Sequence, residues 1–311
     1  VPTTSPAPAT VPPSGPRLWW AGARPRTLPV SVVPVAVGAA LAARYVAAPW
    51  YGHLSWWRIA LALVVSLMLQ VGVNYANDYS DGVRGTDADR VGPLRLTGSG
   101  LVAPAQVKAA AFGCFGVAAL AGLALAATTS WWLVAVGAAA ILAAWFYTGG
   151  ATPYGYLGLG DVAVFVFFGP VAVIGSAYVA GRPPQVTWQS ALASVPIGLL
   201  AVAVLVANNL RDLPKDAAVG KRTSAVRMGD RATRVGYAVI VIGAFLLAMP
   251  VVGWPWLLLA LAATAFAVPP VRAVLRGAAG RDLIPVLART GRLQVVCGMV
   301  IVIGLLAAEV L

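Results

Sequence analysis

Apolar positions in this chain do not alternate with polar ones; they run on without a break. Nine such segments stand near residues 27–47, 58–80, 105–128, 131–148, 160–180, 189–210, 233–252, 254–272 and 293–311. Each holds about 20 residues, the length a helix needs to cross a hydrocarbon core roughly 30 Å thick. No period of two is present, which excludes membrane strands. The pattern predicts an all-α integral membrane protein with nine transmembrane helices in a bundle, tight turns falling at Thr128–Trp131 and Val252–Trp254. Residues 1–16 (VPTTSPAPATVPPSGP) are rich in Pro, Ser and Thr and lack an apolar centre. They read as a disordered tail and not a signal peptide, leaving 17–311 as a single transmembrane domain.

Composition sharpens this. Of 311 residues 60% are hydrophobic and 10% charged; soluble domains carry about 25% charged residues. A soluble enzyme, a disordered chain and a disulfide-rich module are thereby excluded. The net charge of +12 has a topological explanation. With the N-terminus in the cytoplasm, 19 of the 22 Lys and Arg fall on that side, and only Arg44, Arg58 and Arg182 fall outside. That split is the positive-inside signature of a plasma (inner) membrane protein, and the expected partner of the charge is the bilayer, not nucleic acid. Trp19, Trp20, Trp56, Trp57, Trp131, Trp132, Trp188, Trp254 and Trp256 sit near segment ends, as an interfacial belt requires. Cys114 and Cys297 lie in apolar runs and read as packing residues; His53, the one histidine, has no metal partners near it in sequence.

The candidate chemistry lies in the acids. Only ten occur, and six gather in two stretches: Asp78, Asp81, Asp87 and Asp89, then Asp212 and Asp216. The first stretch, NYANDYSDGVRGTDADR (74–90), ends the second apolar segment. Asn74, Asp78 and Asp81 stand at i, i+4 and i+7, one face of a helix. Gly82 and Gly85 let the chain turn and return Asp87 towards that face, or leave Asp87 and Asp89 to pair with Arg90. The second stretch, NNLRDLPKDAAVGKRT (208–223), ends the sixth segment; Asn208, Asp212 and Asp216 stand at i, i+4 and i+8, and Pro214 is expected to bend or end the helix there. Asn74 and Asp78 match Asn208 and Asp212 at an offset of 134 residues, which predicts a four-helix duplication with the ninth helix appended.

Gathered carboxylates repel and need a cation among them. Oxygen donors of this kind suit Mg²⁺, which takes one or two carboxylates and leaves its other positions to water and phosphate. Asn74, Asp78, Asp81, Asn208, Asp212 and Asp216 are thus candidate ligands of two Mg²⁺ ions, and Arg84, Arg95, Lys221 and Arg222 candidate partners of a diphosphate between them. Two other readings stand beside this one. The aspartates pair only with loop arginines at the surface, or they serve an ion or substrate transporter built from repeats.

At these residues the chain resembles the membrane-embedded aromatic prenyltransferase superfamily typified by 4-hydroxybenzoate polyprenyltransferase. Within it, the chain is most similar to the branch acting on 1,4-dihydroxy-2-naphthoate. Four stretches carry the narrower likeness: ARPRTLP (23–29), residues 77–100, YTGGATPYGYLGLGDVAVFVFFG (147–169) and residues 208–229. The resemblance implies nine helices, two cytoplasmic aspartate-rich motifs, Mg²⁺ dependence, and transfer of a polyprenyl chain from its diphosphate to dihydroxynaphthoate with loss of CO₂, giving demethylmenaquinol in menaquinone biosynthesis. Another aromatic acceptor is the alternative. Many members carry a lysine four residues after the tyrosine that ends the fourth helix; here that position is Ala151, and Lys221 or Arg222 is expected to replace it. Asp78, Asp81, Asp212, Asp216 and Tyr147 become the candidate catalytic residues. Tyr147, with Tyr75 and Phe165, Phe167 and Phe168, would face an allylic cation. Arg24 or Arg26 would hold the acceptor's carboxylate, unless both only mark topology, and Pro153, Tyr154, Tyr156 and Asp161 would form its surface, unless these tyrosines are interfacial anchors. Prenyl chain length and oligomeric state are not legible.

Overall fold

The computed structural model describes residues 14–44, 54–86, 94–184 and 186–307. Residues 1–13 of the Pro-rich tail, His53, Asp87, Asp89 and Arg90 lie outside the described residues. The chain is helical throughout, with no strand among the described residues. A short α1 (Pro16–Gly22) comes first, so Pro16 opens a helix where the sequence predicts tail. α2 (Pro29–Arg44), α3 (Trp56–Val83), α4 (Pro104–Thr128) and α5 (Trp132–Phe146) follow. The fifth apolar segment is broken by a π-turn at Phe167–Val171 into α6 (Gly160–Val166) and α7 (Ala172–Ala180). α8 (Trp188–Ala218), the short α9 (Ser224–Met228), α10 (Asp230–Val252), α11 (Leu257–Ala263), α12 (Val268–Leu275) and α13 (Leu283–Ala307) complete the order.

Eight helical segments among the described residues are long and apolar enough to cross a membrane. The fourth expected crossing, α5, holds 15 residues, about 22 Å at 1.5 Å per residue, and falls short of that length. Two expectations are corrected. Pro214 does not end the sixth segment: α8 continues to Ala218. A proline this close to the end costs only one ladder bond, and the chain turns instead at Gly220, whose φ of +77° is open to glycine. α13 starts ten residues before the expected 293, because Leu283, Val286 and Thr290 bury one face of a stretch whose arginines keep its mean hydropathy low.

Outward faces are apolar and exposed, as at Phe112, Leu120, Leu142, Val239 and Leu246, and Trp20, Trp56, Trp131, Trp188 and Trp254 stand exposed near helix ends. This is a bundle solvated by lipid, a multi-pass membrane protein. α8 runs through its largest core, formed with α2, α7, α10 and α13. Small residues set the close approaches: a Cβ on Gly38 of α2 would lie 2.6 Å from the Val173 carbonyl oxygen. Gly38→Leu should therefore force α2 off α7. Overpacking of this kind costs about 1–3 kcal/mol, which should lower Tm in detergent by roughly 2–10 °C; an unchanged Tm would contradict the packing described.

Candidate active site

The C-terminal end of α3 is bonded to the turn that follows α8. Asp81, in the last turn of α3, accepts a 3.0 Å charge-assisted hydrogen bond from Lys221, just beyond α8, and a 2.6 Å bond from the Tyr156 hydroxyl. Both charged side chains are buried. Lys221 also lies over the Tyr156 ring, 4.6 Å from its centroid. Burial of the Tyr156 phenol first, then the field and hydrogen bond of Asp81, hold it above its ordinary pKa, so it stays a donor at neutral pH. Tyr156→Phe should loosen this junction and raise the KM for the anionic substrate about threefold to tenfold, the value of one hydrogen bond to a charge. Equal KM values in steady-state kinetics would contradict that role.

The loop between α5 and α6 forms the third wall. Two backbone hydrogen bonds hold it: the Gly155 N–H donates to the Tyr147 carbonyl, and the Arg222 N–H donates to the Tyr156 carbonyl, 2.9 Å away. Glycines admit the Tyr147 ring. A Cβ on Gly155 would sit 2.6 Å from the Tyr147 carbonyl oxygen, and one on Gly160 would sit 3.0 Å from its hydroxyl. Desolvation of that hydroxyl, then the fields of Asp161, Tyr154, Asp81 and Asp216, hold its pKa well above the usual phenol range. One acid of each stretch, Asp81 and Asp216, thus acts electrostatically on the Tyr147 hydroxyl. Asp161 hydrogen-bonds Ser224 and leaves its Oδ1 buried without a hydrogen-bond partner.

Several expected site residues are tied to the protein itself. Asp78, fully buried, accepts the backbone N–H groups of Leu96 (2.7 Å) and Thr97 (2.9 Å), one on each oxygen, and folds the 94–102 loop onto α3. That loop carries Arg95, also buried. Asn74 donates to the carbonyl of Ala23 and to the Thr27 hydroxyl. Arg84 donates to the carbonyls of Thr148 and Gly150 and stacks on Tyr156. Asp212 is gripped by Arg211, and the same guanidinium reaches Asn208. Tyr154 turns its hydroxyl to the Ala143 carbonyl and packs edge-on against Tyr147; burial pushes its pKa up to about 12. Tyr75 points to the Trp19 carbonyl, away from the junction. Arg222 and Arg26 are exposed.

Sequence reasoning overlooked Arg211, Asn77 and Thr27. Asn77 accepts from the Thr148 hydroxyl at 2.7 Å, a second tie between α3 and the loop. Arg211 adjoins Asp212 in sequence, which is the signal that was available. The donor set is all hard oxygen. No three acidic, His or Cys side chains among the described residues form a ready-made metal cage. Oxygen donors of this kind suit Mg²⁺, which binds through one or two carboxylates and completes its shell with phosphate and water.

Fold and site together define a class: a multi-pass helical membrane protein in which the acid-bearing end of one long helix is bonded to the turn that follows another. The chain belongs to the UbiA prenyltransferase family, whose model matches residues 31–283. A relative from Mycobacterium tuberculosis, named 1,4-dihydroxy-2-naphthoate octaprenyltransferase, is 48% identical over 91% of this chain and 94% of its own. Among solved structures, a UbiA homolog from Aeropyrum pernix in its apo form superposes with a TM-score of 0.68 at 14% identity, covering 88% of this chain and 97% of that one. A homolog from Archaeoglobus fulgidus, described as bound to DMAPP and Mg²⁺, gives 0.61 at 13% identity, covering 91% and 98%.

Proposed function

We propose that this protein transfers a polyprenyl group from polyprenyl diphosphate to 1,4-dihydroxy-2-naphthoate in menaquinone biosynthesis, with Mg²⁺ as cofactor and the site on the cytoplasmic side. The observation that carries the proposal is the Asp81–Lys221–Tyr156 junction between the two acid-bearing helix ends. Support for the acceptor comes from the name and high identity of the mycobacterial relative. With α5 counted as a short ninth crossing, both acidic stretches would lie on the N-terminal side of the membrane, with 19 of the 22 basic residues.

Asp81, Asp212 and Asp216, with the Asn208 amide oxygen, are the residues that would hold Mg²⁺, while Asp78, with both oxygens on backbone N–H groups, holds the 94–102 loop in place. When bound, the ion neutralises charge on the diphosphate leaving group. Lys221 supplies a protein cation to the same diphosphate, in the role that Ala151 cannot fill, with Arg95 and Arg222 as further anion partners. The allylic C–O bond breaks and its electron pair leaves with the diphosphate. Tyr147 offers its ring face to the electron-poor carbon. The apolar bundle excludes water, which would otherwise capture that carbon. Ring electrons of the acceptor form the new C–C bond. The carboxylate leaves as CO₂, its bonding electrons restoring the aromatic ring. Asp161, with a free buried oxygen beside Tyr147, is placed to accept a hydrogen bond from an acceptor hydroxyl.

A competition assay tests this. Purified protein offered equal 1,4-dihydroxy-2-naphthoate and 4-hydroxybenzoate, with a polyprenyl diphosphate and Mg²⁺, should prenylate the naphthoate. Preference for the benzoate would move the chain to another branch of the family, and no product from either would remove the enzyme reading.

A further inference from the structure

Arg211 and Arg234 both hold carboxylates by the same edge of the guanidinium. Arg211 uses Nε and Nη2 on Asp212, at 2.8 and 2.8 Å. Arg234 uses Nε and Nη2 on Asp230, at 2.6 and 2.8 Å. The edge matches the two oxygens of a carboxylate in one plane. Arg24 offers that edge as well: its Nε and Nη2 are buried and have no hydrogen-bond partner among the described residues. A buried guanidinium edge without an acceptor is costly unless something binds there.

The backbone around Arg24 is built to hold it. Arg24 has φ 55° and ψ 67°, the one non-glycine residue with positive φ among the described residues. Such a conformation persists only where its surroundings enforce it, and it concentrates at ligand clamps. Here α3 enforces it. Asn74 donates to the carbonyl of Ala23 (3.0 Å) and to the hydroxyl of Thr27 (3.2 Å). Gln70 donates to the same hydroxyl, and that hydroxyl donates to the Arg24 carbonyl at 2.9 Å. The turn from Ala23 to Thr27 is therefore pinned to α3 on either side of Arg24. Asn74 stands seven residues before Asp81 on α3, which is about 10 Å along the axis. The Arg24 turn is thus anchored about two helical turns from the Asp81–Lys221 pair along α3. Arg26, the other candidate, is exposed.

We propose that Arg24 is the residue that grips the carboxylate of the aromatic acceptor, and that Asn74 is a positioning residue holding the Arg24 turn, not a metal ligand. This rests on the reading that the acceptor is an aromatic carboxylate. It parts Asn74 from Asn208, its counterpart in the other acidic stretch, which lies beside Asp212 and shares Arg211 with it.

The test uses full-length protein in detergent, with two readouts: equilibrium binding of 1,4-dihydroxy-2-naphthoate in the presence of Mg²⁺ and inorganic diphosphate, and steady-state KM for each substrate. Arg24→Gln should weaken acceptor binding and raise acceptor KM about tenfold to hundredfold, the value of a bidentate charged pair. The KM for prenyl diphosphate and the Mg²⁺ half-saturation should stay within about twofold. Arg24→Lys keeps the charge but loses the fork, and should recover only part of the affinity. Asn74→Ala should share the acceptor defect at unchanged Mg²⁺ half-saturation. On wild-type protein, the methyl ester of the acceptor should bind as weakly as the acid binds to Arg24→Gln, a comparison that survives if a variant fails to fold. A defect in prenyl diphosphate KM in place of acceptor KM, an ester that binds like the acid, or a raised Mg²⁺ half-saturation in Asn74→Ala each overturns the proposal while leaving the transferase reading intact. Wild-type protein that neither binds nor prenylates the naphthoate overturns both.

Discussion

Asp81→Asn should reduce kcat/KM for prenyl transfer by about 10³-fold or more, the size seen when a group that stabilises leaving-group charge is removed, and should lower Tm because buried Lys221 loses its carboxylate partner. Asp81 is where both halves of the site meet: its Oδ1 receives Lys221 and Tyr156, and its field reaches Tyr147. The substitution keeps the shape and removes the charge. Lys221 then has no carboxylate partner, and the set of oxygen donors offered to Mg²⁺ loses a full charge. The measurement is turnover of prenyl diphosphate in detergent, read beside a thermal melt. Activity within tenfold of wild type would show that Asp81 is only a surface-type ion-pair partner, the reading in which such pairs contribute little.

Lys221→Met should produce the second large effect. The substitution leaves Asp81 buried with only Tyr156 to compensate it, and breaking a buried pair from one side costs about 3–5 kcal/mol. Part of that cost should appear as a lower Tm. The functional part should appear as a KM for prenyl diphosphate raised about a hundredfold, while acceptor KM stays near wild type. Combining Lys221→Met with Asp81→Asn separates the two parts. The double variant should regain most of the lost Tm, because no uncompensated charge remains, yet recover none of the activity. Recovery of activity in the double variant would mean that the pair is purely structural.

The two helix ends were legible in the sequence because few acids occur and their spacing places them on one helix face. Basic residues likewise mark both stretches for the same side. What each carboxylate touches was not legible. Asp78 is bound by backbone N–H groups of Leu96 and Thr97, which lie 18 and 19 residues further on, and no periodicity announces a loop folding back over a helix. Tyr156 could be seen as a tyrosine in a glycine-rich loop, with interfacial anchoring an equal alternative; only its 2.6 Å bond to Asp81 gives it a place in the site. Hydropathy located the membrane segments but not the helix ends. It missed the run of α8 past Pro214, whose residues are polar or exposed, and the early start of α13, which is set by burial of Leu283, Val286 and Thr290 against neighbours and not by lipid. Arg24 and Arg26 are alike on paper; the left-handed backbone at Arg24 separates them.

The most direct test of the whole account follows the acceptor's own carbon. Reconstituted protein is given polyprenyl diphosphate, Mg²⁺ and dihydroxynaphthoate labelled in its carboxyl group. One labelled CO₂ should be released for each diphosphate, with the prenylated quinol retaining no label, and Asp81→Asn should abolish both products. Diphosphate release without labelled CO₂, or a prenylated product that keeps the carboxyl label, would contradict it.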